Sequence, residues 1–314
     1  MEKLIIDENG GGKRIDRFLK EGFFLNGVIT RGEIIREIKK GNILLNGKIA
    51  KPSNLLKKAD EISIALKEKA SQLLANPKVK VKVIHQDKNI IVIDKPAGLS
   101  VHPTSFEDKD TLVNGLLAKF PEIENINDGS VGSEFRPGIV HRLDKYTSGV
   151  MVVARNKKAF SALKKIFQER KADKKYLAIV AGSLPEKNGV IEKPLASSAS
   201  HMKQIIAHRK TRTKVRPAVT EYSVLKEYGD YSLVEVLPKT GRTHQIRIHL
   251  TSIGHPIVGD KIYKNKAAAP EARAKRQLLH AQSLAFELFG KKYQFAAQPP
   301  KDFQDFLKYL TDKG

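Results

Sequence analysis

Three side chains that stand far apart in this chain, Asp144, Tyr176 and Arg247, are of types that act on a charged or ring-shaped substrate. Asp144 lies in Gly138-Ile-Val-His-Arg-Leu-Asp-Lys-Tyr-Thr-Ser-Gly-Val-Met-Val-Val-Ala-Arg155. Ile139-Val140 and Val150 to Ala154 read as short β-branched strands, and the polar loop between them holds His141, Arg142 and Asp144. A carboxylate beside an arginine on a loop between buried strands is held firmly yet stays reachable, which suits catalysis. The bland alternative is a loop aspartate that only caps its own backbone. Arg247 belongs to Thr240-Gly-Arg-Thr-His-Gln-Ile-Arg-Ile-His249, where Gly241 turns the chain, Thr243 caps a helix, and Ile246, Leu250 and Ile253 form the buried stripe. At about 100° per residue Arg247 falls at the edge of that stripe, where an arginine needs a carboxylate or phosphate partner. A structural ion pair would satisfy it equally well. Tyr176 opens the apolar run to Gly182 behind Lys174 and Lys175, a place where simple edge packing is the ordinary role.

The elements around these residues divide the chain. Residues 13–66 read as two short helices (Ile15, Phe18 and Leu19 on one, Ile34, Ile35 and Ile38 on the other), then a hairpin about Asn46-Gly47 and a closing strand Ile62 to Leu66. Their polar faces carry Lys13, Arg14, Arg17, Arg31, Arg36, Lys39 and Lys40. Residues 67–79 read as a polar linker. Strands follow at Val79 to Ile84 and Ile90 to Ile93, with helices at Leu112 to Phe120, capped by Asp110 or Thr111, and about Lys157 to Glu169. The tail with Phe303, Phe306, Leu307 and Leu310 reads as a docked helix.

Lysine and arginine number 57 against 34 acidic residues, a formal charge of +23. That excess suits a polyphosphate partner, although a lysine-biased surface has the same composition. A second basic run, His201 to Arg216, holds six cations and no acid, and Lys203, Arg209, Lys210, Arg212, Lys214 and Arg216 are candidate phosphate contacts. Cysteine is absent, which excludes disulfides, thiol nucleophiles and cysteine-ligated zinc. No apolar run approaches the roughly 18 residues of a membrane span, and the first residues lack a signal peptide's pattern. We therefore expect a cytoplasmic protein, and a monomer.

The wording His141-Arg-Leu-Asp144 followed by Thr147-Ser-Gly149 resembles the catalytic motif of the RluA/RluD family of RNA pseudouridine synthases. Asp94 to Leu99, Thr240 to His249 and Leu278-Leu-His-Ala281 are similar to the family's other motifs, in the family's order. Arg-Ile-Asp-Arg-Phe-Leu, then Thr-Arg-Gly, then Gly-Asn-Ile-Leu-Leu-Asn-Gly resembles the αL RNA-binding motif, apart from a longer insert at Lys20 to Val28. The resemblance implies an α+β protein: an αL-type RNA-binding domain at 1–66, a linker at 67–79, and at 80–314 a mixed, mainly antiparallel β catalytic domain with a central cleft. It implies that Asp144 is the catalytic carboxylate, Arg247 its partner, Tyr176 the platform for the target uracil with a hydroxyl offered for proton transfer, and Leu279 an aliphatic neighbour of Asp144. Arg142 would contact RNA and help displace the nucleotide, while His141 would be structural. The reaction implied breaks the uridine N1–C1′ bond, turns the uracil and rejoins it through C5. Asp144 would act either on the sugar carbon or on the C2′ proton. The product is an isomer, so no cofactor or metal is expected.

The Pro96-Ala-Gly98 turn, Lys145 to Gly149 and the αL unit look nearest to the RluD-type enzymes of large-subunit ribosomal RNA. Three other readings compete: a synthase acting on transfer RNA, a catalytically silent RNA-binding or ribosome-assembly protein, and a metal-dependent nuclease built on His141, Asp144, His244 and His249. The silent protein would not need Asp144, Tyr176 and Arg247 together, and the nuclease lacks a paired-carboxylate cluster.

Overall fold

A computed structural model describes residues 2–23, 31–65, 72–198, 203–264 and 273–313. The chain falls into two compact units, Met1–Ser71 and Gln72–Gly314. Of the stretch expected as a linker, 67–71 lies outside the described residues, as do 24–28 of the insert and Thr30 of the Thr-Arg-Gly motif. Residues 72–79 belong to the second unit: Leu73 is buried, and Asn76 N–H donates to Asn114 O at 2.9 Å.

In the first unit, β1 (Glu2–Ile5), α1 (Ile15–Phe18), α2 (Arg31–Lys39), β2 (Ile43–Leu45), β3 (Lys48–Ile49) and β4 (Glu61–Ile64) build an antiparallel sheet ordered β1-β4-β2-β3. Ile15, Leu19, Ile34, Ile38, Ile43 and Ile62 close its core. Asn46 and Gly47 take φ of 51° and 74°, the left-handed pair that a two-residue hairpin turn requires. Two features escaped sequence patterning. Strand β1 has mostly exposed side chains, so no alternation announces it, and backbone pairing with β4 recruits it. The first helix stops at Phe18, and Leu19–Phe23 continues as a wider π-type turn.

In the second unit nine strands form one sheet ordered β5-β6-β7-β14-β8-β13-β12-β9, with β15 on β14. These are β5 (Lys82–Gln86), β6 (Ile90–Lys95), β7 (Ser148–Ala154), β8 (Asp173–Ala181), β9 (Asn188–Glu192), β12 (Val219–Tyr228), β13 (Tyr231–Pro238), β14 (Leu279–Leu288) and β15 (Lys291–Ala296). A separate ribbon pairs β10 (Leu195–Ser197) with β11 (Gln204–Ile206). Every pairing is antiparallel except the short register of β14 with β7. Helices α3 (Leu112–Lys119) and α4 (Lys157–Gln168) cover the β6–β7 region, and β7 is buried at every position, as a strand covered on both faces must be. Alternation along β8 sorts its neighbours. Ala178 and Val180 face α5 (Gln245–Ser252), while Leu177 and Ile179 face Phe303, Phe306 and Leu310 of α6 (Lys301–Lys313).

Ile139-Val140 is not a strand; only an isolated bridge from Ile139 to Val153 forms. The chain turns on both sides of it, with Ile139 N–H bonded to Arg136 O at 3.0 Å, so no second ladder position develops. Val79 to Lys80 likewise belongs to a turn closed by Val79 N–H to Asn76 O, and the strand starts only at Lys82. Thr111 stands before α3, where Asn114 Oδ1 accepts from its backbone N–H (3.1 Å) and its hydroxyl (2.6 Å).

Gly149 is required by the one parallel pairing. Its φ is 118°, and a Cβ there would lie 2.1 Å from the Ala281 carbonyl oxygen on β14. Gly149→Ala is therefore expected to lower stability by at least about 2 kcal/mol and to displace the loop preceding β7. Thermal melting of the variant checks this, and a wild-type melting temperature would show that β7 and β14 tolerate separation.

Candidate active site

Asp144 sits in a turn closed by Thr147 N–H to Asp144 O at 3.0 Å. Other parts of the unit fix that turn from several sides. The buried Lys95 ammonium donates to Pro96 O, Leu99 O and Lys145 O at 2.8, 2.9 and 3.1 Å, and Gly98 N–H donates to Lys145 O. Burial pushes the Lys95 pKa down to about 7, against the pull of the nearby Asp144 carboxylate. Arg276, bound to Asp302 at 2.6 Å, donates to Tyr146 O at 3.1 Å. His280 Nε2–H donates to Ala297 O, so its Nδ1 accepts from the Ser148 hydroxyl at 3.0 Å.

Helix α5 brings Arg247 to the same place. Thr243 does not cap this helix. His244 precedes it in left-handed backbone (φ 56°), and no side chain caps the end. Gln245 fastens the turn instead: its Oε1 accepts from Thr240 Oγ1 (2.6 Å) and Arg242 N–H (3.0 Å). Arg247 is 3% exposed, deeper than the edge of an apolar stripe, because carboxylates meet it on two sides. Nη1 donates to Asp144 Oδ2 at 3.0 Å, while Nε and Nη2 grip Asp260 at 2.6 and 2.9 Å. Burial works against the guanidinium charge, and the hydrogen bonds it donates to Asp260, the Asp260 charge and then Asp144 hold its pKa above the ordinary value. Asp260 is the partner that sequence reading missed. It also accepts from Ile262 N–H and Tyr263 N–H, so its own geometry is fixed.

These groups face one cavity of about 580 Å³, room for a nucleotide-sized ligand, lined by Asp144, Arg247, Tyr176, Leu279, Arg142 and His102 among others. Asp144 keeps 19% of its side chain exposed. Its Oδ2 is tied to Arg247; among the described residues Oδ1 accepts no hydrogen bond, and His244 Nε2 stands 3.9 Å from it. One oxygen is thus anchored and the other is available. Desolvation, and then the Asp144 charge, push the Tyr176 phenol up, so the ring stays neutral: suited to lie against a base, but not to remove a proton at neutral pH. Arg142 is exposed and donates Nη1–H to His102 Nε2 at 3.2 Å, while His102 Nδ1 donates to Pro103 O.

The histidines are mostly committed elsewhere. His141 Nε2 accepts from Val152 N–H, its ring stacks on Phe167 at 4.4 Å, and enclosure pushes its pKa down to about 3. His249 bonds Thr220 and Lys193 O. Among the described residues no three His, Asp or Glu side chains are grouped to hold a metal, so the four residues of the nuclease reading do not converge.

Lys203, just before β11, and Arg209, Lys210, Arg212, Lys214 and Arg216, in the loop after it, are exposed, and none lines the cavity. His201 and Met202 lie outside the described residues. In the first unit Arg14 and Arg31 both bind the buried Asp16, at 3.0 and 2.8 Å, and Arg17 pairs with Glu21 at 2.6 Å. These pairs set the direction of cations that sequence patterning shows only as a polar face. Arg36 is exposed on α2. No helix among the described residues is long and apolar enough to cross a membrane.

Comparison with known proteins places the chain among RNA pseudouridine synthases. Residues 89–252 match the family model described as RNA pseudouridylate synthase, and residues 13–62 match the S4 domain. An uncharacterised RNA pseudouridine synthase of Aquifex aeolicus is 37% identical, covering 99% of this chain and 98% of that protein. Ribosomal large subunit pseudouridine synthase D of Borreliella burgdorferi is 35% identical, with coverage of 96% and 91%. Among solved structures, human RNA Pseudouridylate Synthase Domain Containing 4 is 29% identical with a TM-score of 0.57, covering 73% of this chain and 93% of that one.

Proposed function

Because the chain belongs to the RNA pseudouridine synthase family, we propose that it isomerises uridines of large-subunit ribosomal RNA, with Asp144 as the reacting carboxylate. The target uridine leaves its stack and enters the cavity. Tyr176 lies against the uracil, Arg142 occupies space near the vacated stack, and Leu279 keeps the sugar side dry. Arg247, gripped by Asp260, holds Asp144 so that Oδ1 meets the ribose, either at C1′ or at the C2′ hydrogen. The N1–C1′ bond breaks, the uracil rotates, C5 bonds to C1′, the C5 proton leaves and N1 gains one. Atoms balance without water, redox change or energy source.

What supports the reading most is that Asp144 has one oxygen anchored and one unengaged, in a cavity it shares with Arg247 and Tyr176. The ribosomal target rests on relatives named for large-subunit RNA, at 35% identity in one case. Mapping pseudouridines in cells with and without the gene tests it. Sites should vanish from large-subunit ribosomal RNA, and loss confined to transfer RNA would overturn the target.

The first unit serves affinity. Residues 1–70 hold 15 basic and 10 acidic side chains, and every cavity residue lies beyond them. Deleting this unit should weaken RNA binding and make its salt dependence shallower. The single-turnover rate at saturating RNA should stay within about an order of magnitude, since uniform binding does not alter that step. Binding and single-turnover assays over a salt series check this, and intact affinity with a collapsed rate would assign the unit to catalysis.

A further inference from the structure

Arg170 occupies a backbone position suited to glycine. It follows α4 with φ of 60°, and Lys171 N–H to Ile166 O (2.9 Å) with Arg170 N–H to Phe167 O (3.3 Å) close the helix in a left-handed turn. A side chain there carries a steric cost that glycine would spare. Nothing in the fold offsets it: the side chain is exposed, and among the described residues no carboxylate stands within ion-pairing distance.

The side chain instead lines the cavity that holds Asp144, together with Lys174 and Arg242. These cations come from three segments: the end of α4, the start of β8 and the turn before α5. Lys174 and Arg242 are half-buried, and Arg242 is aimed by its Nε–H bond to Pro217 O at 3.2 Å. Arg170 repels both of them. Burial and then Arg170 lower the Lys174 pKa, partly offset by Asp173, and burial, then Arg216 and Arg170, lower that of Arg242. A fold that gathers like charges against their repulsion on a cavity wall leaves a place for an anion with several acceptor oxygens.

We propose that Arg170, Lys174 and Arg242 bind one phosphodiester group flanking the target uridine, at a site separate from the Asp144–Arg247 pair, and that the arginine at 170 is kept in its left-handed turn for this contact. The proposal rests on the uridine-isomerising reading for the identity of the anion.

Arg170→Gly separates binding from folding, because the two effects carry opposite signs. The melting temperature should rise by about 1–3 °C as the backbone is relieved. Affinity for an unmodified large-subunit ribosomal RNA transcript should fall roughly 3- to 10-fold at low salt, with the slope of log K against log salt shallower by about one. Arg170→Lys should hold the affinity within about twofold of wild type, since it keeps the charge, and gain no thermal stability. Unchanged affinity and slope in Arg170→Gly would overturn the site. So would a lower melting temperature, which would make the arginine a support of the helix end. Binding is read without turnover. A wild-type protein that binds the transcript but isomerises nothing in it counts against the uridine reading, whereas normal binding by Arg170→Gly in an otherwise active enzyme counts against the site alone.

Discussion

Asp144→Asn is expected to abolish release of tritium from 5-tritiated uridine in substrate RNA, a loss of about 10³-fold or more, the scale seen when a reacting group is removed. Asparagine keeps the shape and an acceptor for Arg247 Nη1, now 3.0 Å from Asp144 Oδ2, so the loop has no reason to move. The turn itself is held by Lys95, Gly98 and Arg276, which touch its backbone and not the carboxylate. RNA affinity and melting temperature should therefore stay near wild type. The variant lacks only the negative charge and the nucleophilic or basic Oδ1. Substantial turnover by the folded Asn variant would remove Asp144 from the chemistry.

Arg247→Met should lose most activity and stability together. The guanidinium serves two carboxylates, and the Asp260 side chain is fully buried. Removing the cation leaves Asp260, among the described residues, with only the Ile262 and Tyr263 N–H groups and leaves Asp144 unanchored. Breaking a buried pair from one side costs about 3–5 kcal/mol. In a unit of this size that is a fall of roughly 10 °C in melting temperature. Adding Asp260→Asn to Arg247→Met removes the stranded charge, so part of the stability should return while activity does not. That non-additivity distinguishes a positioning network from two independent defects. A single variant that melts and turns over like wild type would show the pair to be uncoupled.

Much of the candidate site is legible as local pattern. Asp144 beside Arg142 on a loop ahead of a β-branched run, Arg247 at the margin of a helical stripe, and Tyr176 at a strand start can each be placed from neighbours within a few residues. The hairpin at Asn46-Gly47 and helix α4 are equally local, since a positive-φ pair and a 3.6-residue period need no distant contact. Local pattern misleads where a distant partner decides the conformation. Ile139-Val140 has strand-forming residues but only Val153 to pair with. Thr243 has a capping side chain, yet Gln245 secures the turn through Thr240 and Arg242.

By itself, then, the sequence determined the residue types available for chemistry, the elements that carry them, the excess of positive charge and, through motif order, the family. Tertiary structure alone decided which groups hold the Asp144 carboxylate and its turn. Asp260 meets Arg247 across a helix and a loop, Lys95 reaches Lys145 across the β6–β7 pairing, and Arg276 and His280 reach the Asp144 segment from β14 and the residues before it. Nothing in the spacing of these residues announces the contacts. Buried polar groups must find partners wherever the folded sheet brings them, and that is settled only when distant strands register and water is excluded.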